Sequence, residues 1–280
     1  MNGALAWVVV AARGDGVRRA SVIQADPRST LLAQVIPVGP TPVTIRERWN
    51  AAAVSLHLPL QHRAEAVRAA LLEGLHVVVH GPIAPSRQEA EALFSLAESQ
   101  RRVLHVAHLG VLEAPIRALR AQVSWRSIDR VQANMDLNGP MVMGTALAME
   151  VVPLLQRVFY FAGRVAQIED IRTSPGALDV ELRLRQGGSV SLQLRQAPDF
   201  APWLRLEVID QRYSWRQEGD SLYRNASPQT LLLSSSTVQE DHHLAMGEIL
   251  DGAKPHVPHG ASLHALELAE RIARGTLGPL

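Results

Sequence analysis

The residues in this chain best suited to chemistry are histidines and arginines. There are 11 histidines and no cysteine, so disulfides, thiolate metal sites and cysteine nucleophiles are excluded. An imidazole titrates near neutrality and can give a proton or bond a substrate carboxylate. His57, His80 and His108 each fall where a short apolar run gives way to a turn. In a parallel sheet that is where ligand-facing side chains collect. His80, followed by Gly81-Pro82, is the first candidate for a proton donor, and His108 the second. His105 and His108 look like a metal pair, but they straddle a strand end and do not point the same way. Zinc needs three or four ligands, and no carboxylate cluster completes a set, so no metal is expected and His105 reads as structural. His242-His243, His256 and His259 read as exposed helix or loop residues.

Arginines cluster on one alternating stretch: Arg183, Arg185, Arg195 and Arg205 lie beside Glu181 and Glu207. Two readings stay open. The charges form cross-strand ion pairs on a solvated face, or Arg183, Arg185 and Arg195 bind a carboxylate-bearing substrate, for which a planar guanidinium is suited.

These residues need elements to position them. Continuous apolar runs at Leu5–Ala11, Leu31–Val38, Ala52–Leu58, Leu75–Val79 and Val103–Ala107 predict strands buried on both faces. Helical spacing predicts helices over Gln61–Glu73, from a Ser86 cap to Ser99, and over Glu113–Arg120. Strand and helix in alternation imply a Rossmann-like parallel sheet. The period then changes. Val180, Leu182 and Leu184, then Val190, Leu192 and Leu194, flank Gly187-Gly188 and predict a hairpin. Val131–Leu137, Val165–Ile171 and Leu204–Val208 read as companion strands, with helices near Val142–Phe161, Val238–Leu250 and Ser262–Arg274. The expected class is therefore α/β followed by α+β, an open antiparallel sheet with helices on one face. The expected domains are 1–120 and 121–280.

Bulk properties narrow the function. Net charge is +1, charged residues make up 20% and aromatics only 4%. Neither nucleic acid nor a membrane is the expected partner. Met1–Val10 is too short and uncharged for a signal peptide, and no 18-residue apolar run is present. A cytoplasmic protein is expected.

From Gly74 the chain reads G-L-H-V-V-V-H-G-P-I-A-P-S-R-Q-E-A-E-A-L-F-S-L-A-E, and from Val103 V-L-H-V-A-H-L-G-V-L. This resembles the Gfo/Idh/MocA oxidoreductases, in which a G-K-H-V strand runs into E-K-P and then an E-A-E-x-L-type helix. The V-L-H-V-A-H-L run and the tail A-K-P-H-V-P-H-G-A-S-L-H-A-L-E-L-A, from Ala253, resemble the biliverdin-reductase branch. The resemblance implies NAD or NADP as cofactor and a linear tetrapyrrole (bilin) as substrate. It also implies self-association, or a partner protein, through the second sheet.

The motifs depart from the family pattern in places. The three dinucleotide-fingerprint positions hold Ala11, Arg13 and Gly16; a shifted register gives Gly14 and Gly16, then Arg19, a side chain expected to crowd the helix against the sheet. Cofactor contacts would fall on Arg13, Gly14, Gly16, His57 and Pro82. Arg46 or Arg48 would meet an NADP phosphate. E-K-P becomes His80-Gly81-Pro82, and the dehydrogenases' Asp and His, four residues apart, become Met149 and Pro153. The arginine of the biliverdin-reductase helix aligns with Leu154, one turn from Arg157, which joins His80 and His108 as a catalytic candidate. With the fingerprint altered, dinucleotide binding is expected to be weak or absent. Two functions follow: NAD(P)H-dependent reduction or binding of a bilin, or a non-catalytic paralogue serving as a binding, regulatory or partner subunit.

Overall fold

The computed structural model describes residues 4–11, 14–36, 45–137, 141, 144–197, 203–231 and 236–280. In chain order the first elements are β1 (Leu5–Ala11), α1 (Asp15–Ala25), β2 (Ser29–Val35), α2 (Ile45–Trp49), β3 (Ala53–His57), α3 (Leu60–Leu72), β4 (His76–His80), α4 (Arg87–Ser99) and β5 (Leu104–Ala107). There follow α5 (Ala114–Gln122), β6 (Ile128–Leu137), α6 (Thr145–Ala162), β7 (Val165–Ser174), β8 (Ala177–Leu184), β9 (Ser189–Gln196) and β10 (Trp203–Asp210). The chain closes with β11 (Ser214–Glu218), β12 (Ser221–Arg224), β13 (Ser227–Pro228), α7 (Thr237–Asp251), α8 (His259–Ala273) and β14 (Gly278–Pro279).

The expected single split at residue 120 does not describe how the chain divides. One compact unit joins Met1–Leu109 to Ser235–Leu263, and the other joins Gly110–Ser234 to His264–Leu280. The reason is α7, which returns to the first unit and packs on α1.

The first unit is built on a five-stranded sheet in the order β2-β1-β3-β4-β5, and every pairing in it is parallel. Strand β1 buries both faces through Trp7, Val8, Val9, Val10 and Ala11, whereas β2, expected to be buried on both faces, is an edge strand whose residues alternate between half-buried and exposed. Trp7, Val9, Ala11, Ala53 and Val78 share a core with Ala20 and Ile23 of α1 and with Ala245 and Met246 of α7. Helix α4 starts where Ser86 accepts a hydrogen bond from the Glu89 N–H, 3.2 Å away, the serine cap expected from the sequence.

The second unit carries a nine-stranded sheet, order β13-β12-β11-β10-β6-β9-β8-β7-β14. It is antiparallel except where β6 runs parallel to β9, a pairing that alternation alone does not disclose. The expected β8–β9 hairpin is present. Gly187 turns it at φ 108, and a side chain on Gly188 would overlap the Ile128 carbonyl. Leu178, Val180, Leu182 and Leu184 bury one face of β8, and α6 packs on β6. Among the described residues, no helix is long and apolar enough to cross a membrane.

Candidate active site at the strand ends of the first unit

The parallel register decides which side chains share a face. Ser55 pairs in register with Val78, and Val78 with His105. Residues two apart on a strand face the same way, so Ser55, His57, His80 and His105 project with Val78 toward α1 and α7.

His57 ends β3 and His80 ends β4, and their rings lie 4.7 Å apart between centroids. Ser55 Oγ is 3.0 Å from His57 Nε2. Burial, then the neighbouring His80, Arg19 and Arg63, pushes His57 down to about 3, so it is neutral at physiological pH. His108, just past β5, is buried, with Nε2 2.9 Å from the Ser262 hydroxyl of α8. A Cβ on Gly81 would touch the His108 ring at 3.4 Å, so the turn after His80 packs on His108. Of the three sequence-derived histidines, His57 and His80 thus come together at the carboxyl end of the sheet, whereas His108 packs with Val106 on the Gly81 side of the turn, away from the His57–His80 face.

The turn from β1 into α1 holds the two glycines. Gly14 takes φ 68 and ψ −127, a conformation open only to glycine, and among the described residues outside its immediate neighbours nothing lies within 4 Å of where its Cβ would stand. Among the described residues no side chain caps α1, and while the Val17 N–H donates to the Gly14 carbonyl at 3.0 Å, the N–H groups of Asp15 and Gly16 precede the first intrahelical bond, where an anion is favoured. A Cβ on Gly16 would overlap that of Ala11 and lie 3.2 Å from the His57 ring. Ala11 therefore fills the space that makes glycine obligatory at 16. The two glycines described in this turn, at 14 and 16, are compatible with a pyrophosphate passing close to the backbone. Arg13 lies outside the described residues.

Arg19, expected to crowd the helix, is wholly buried and pairs with Asp241 of α7. Asp241 also meets His105 Nε2 at 3.1 Å, and Glu248 meets His105 Nδ1 at 2.9 Å. The two hydrogen-bonded carboxylates outweigh burial and raise His105 to about 9. Its charged partners hold Asp241 below the usual carboxylate range against its burial. His105 is structural, as expected. The sequence missed the α7 partners: His242-His243 reads as exposed, whereas His242 is buried, as is Asp241 beside it. His259, also read as exposed, is half-buried and stacks on Phe94 at 4.0 Å. Among the described residues, no three His, Asp or Glu side chains stand where they could hold a metal ion.

The other candidates are engaged elsewhere. Pro82, after a cis peptide bond, offers its carbonyl to Arg63 at 2.9 Å. Arg157 is bound to Glu113 through Nη2 at 2.6 Å and Nε at 3.3 Å. Arg183 pairs with Glu169, and Arg195 with Asp179, each at 2.6 Å, so the ion-pair reading of that face holds for both. Arg185 is exposed at the hairpin. Arg46 bonds the Glu73 carbonyl at 2.9 Å, and Arg48 lies 4.7 Å over Trp49.

Residues 42–108 match the model of the Gfo/Idh/MocA oxidoreductase family with an NAD-binding Rossmann fold. No curated relative matches the sequence. In fold the chain is similar to a biliverdin reductase from Synechocystis sp. PCC 6803, solved with biliverdin and NADP+, at TM-score 0.77 and 18% identity over 97% of this chain and 99% of that one. It is also similar to a mutant 3-ketoreductase from Actinomadura kijaniata, solved with TDP-benzene and NADP, at TM-score 0.80 and 18% identity over 98% of each. An oxidoreductase from Thermotoga maritima aligns at TM-score 0.81 and 13% identity, covering 97% of this chain and 96% of that one.

Proposed function

With the Gfo/Idh/MocA resemblance borne out in sequence over residues 42–108 and in fold along nearly the whole chain, we propose that this protein is an NAD(P)H-dependent oxidoreductase acting on a linear tetrapyrrole in the cytoplasm. The observation that carries the reading is the β1–α1 turn, where Gly14 leaves open space and Gly16 cannot be replaced. Gly14 and the first-turn N–H groups of α1 would hold the pyrophosphate, with His57 and Pro82 nearby on β3 and after β4. When bound, NADPH supplies a hydride. His80 supplies the proton that a reduced tetrapyrrole takes on nitrogen, and neutral His57, braced by Ser55, orients the His80 ring. His108 fixes the Gly81 turn from the β5 side.

The tetrapyrrole reading rests on the biliverdin-reductase resemblance and on the guanidinium face of the second unit. Arg185 of that face is exposed, and Arg183 and Arg195 are held by Glu169 and Asp179 in partly exposed pairs worth only about 0–1 kcal/mol, so exchanging one of those partners for a substrate carboxylate costs little. The same sheet face is proposed to pair with a second copy, which sedimentation at high micromolar concentration tests.

The deciding experiment adds biliverdin and follows its absorbance band without and then with NADPH or NADH. A band shift weakened by His80→Ala, with reduced product only when dinucleotide is present, is expected. Dinucleotide binding with no shift removes the tetrapyrrole and keeps the oxidoreductase. No binding of either dinucleotide overturns the proposal and favours the non-catalytic paralogue.

A further inference from the structure

Arg63 stands in the first turn of α3 and reaches the two loops that end the central strands. Its Nε donates to the Leu58 carbonyl at 2.7 Å, just past β3. Its Nη1 donates to the Pro82 carbonyl at 2.9 Å and lies 3.4 Å from that of His80, both at the end of β4. Burial lowers its pKa. A guanidinium is suited to this: its donors are fixed in one plane and serve carbonyls from separate loops together. A lysine ammonium, a point charge on a flexible stem, cannot hold the same three acceptors in that geometry. Helix, β3 loop and β4 loop are thereby joined at one side chain, beside the His80-Gly81-Pro82 turn.

We infer that Arg63 is a positioning residue, clamping the loops after β3 and β4 so that His80 and Pro82 are presented in one fixed arrangement at the cofactor end of the sheet. The inference rests on the oxidoreductase reading for its functional meaning, but the clamp itself does not need a cofactor. Two things follow: the loops should loosen when the fork is lost even if the fold survives, and ligand affinity should fall with them.

The test compares wild type with Arg63→Lys and Arg63→Met. Hydrogen exchange followed by mass spectrometry, on protein without cofactor, reports peptides covering residues 57–62 and 79–85. Exchange there is expected to rise about fivefold or more in both variants, with β1 and β5 peptides unchanged; a free-energy change near 1 kcal/mol gives such a factor. Unchanged protection in both loops overturns the clamp, and so does a uniform rise across all peptides, which marks general destabilisation. NADPH titration is the second arm. If wild type binds, Arg63→Lys should weaken binding about tenfold, and equal affinity overturns the positioning role. If wild type does not bind, the oxidoreductase reading fails, and the exchange data alone decide the clamp.

Discussion

His105 Nε2 stands 3.1 Å from Asp241 Oδ1 in the core of the first unit, tying β5 to α7. With Glu248 on the other ring nitrogen, both nitrogens face carboxylates, so both donate and the ring is an imidazolium. The groups facing it are Asp241 and Glu248 of α7, with His259 of α8 and Arg19 of α1 close by. Its folded pKa, about 9, is raised above the ordinary 6.5. Its contribution to stability is therefore fully present below pH 6.5 and lost as pH rises through about 9. Thermal melts should show wild-type Tm falling across that window. His105→Gln should melt lower at pH 6 and show a flatter profile; an equally steep decline in the variant would contradict the imidazolium.

Asp241→Asn should be among the most damaging single changes in the first unit. It leaves Arg19 and His105 as buried cations short of a counter-charge, and removing one partner of a buried pair costs roughly 3–5 kcal/mol. Urea unfolding measures this, and a loss under about 1 kcal/mol would show the pair to be dispensable.

Gly16→Ala should destabilise by about 1–3 kcal/mol, because its methyl would overlap that of Ala11. Moving the methyl from one side of the contact to the other repairs it. The double variant Ala11→Gly with Gly16→Ala should recover most of the stability lost by Gly16→Ala alone. Additive losses in the double variant would mean that the two residues do not share the space.

Arg157 and Glu113 should be energetically coupled. The guanidinium holds the carboxylate by two bonds, with the side chains only 19% and 32% exposed. A double-mutant cycle with Arg157→Ala and Glu113→Ala should give a coupling near 1 kcal/mol, at the upper end for partly exposed pairs. A coupling of zero would return Arg157 to the list of side chains available for a ligand.

What was legible in the sequence was whatever depends on neighbours along the chain. Strand β1 and the capped start of α4 are read from local pattern, with their boundaries. Helix α1 was missed because Arg19 interrupts its buried stripe, and that arginine is tolerable only through Asp241, 222 residues away. Strands β11 and β12 were missed because they are short and rich in polar side chains; Gln217 is buried there and donates to the Gly219 carbonyl at 2.7 Å. The meeting of His57 and His80 was legible, since neighbouring strand ends in a parallel sheet lie side by side; the placement of His108 was not, because it sits one residue past β5 and turns to the Gly81 side. Arg63 was not, because its partners are carbonyls, and backbone acceptors leave no mark in the identity of a residue.

The return of α7 to the first unit has a consequence for synthesis on the ribosome. The first sheet can be made early, but Ala245 and Met246 complete its core and Asp241 neutralises Arg19. Until about residue 251 has left the exit tunnel, a nascent chain would have part of that core uncovered and an arginine lacking its counter-charge. The second unit, whose strands β6 to β13 precede α7, can form most of its sheet sooner. The order of folding would then run against the order of translation, and a stalled chain ending before Thr237 should be protease-sensitive at its amino-terminal end while its later residues resist.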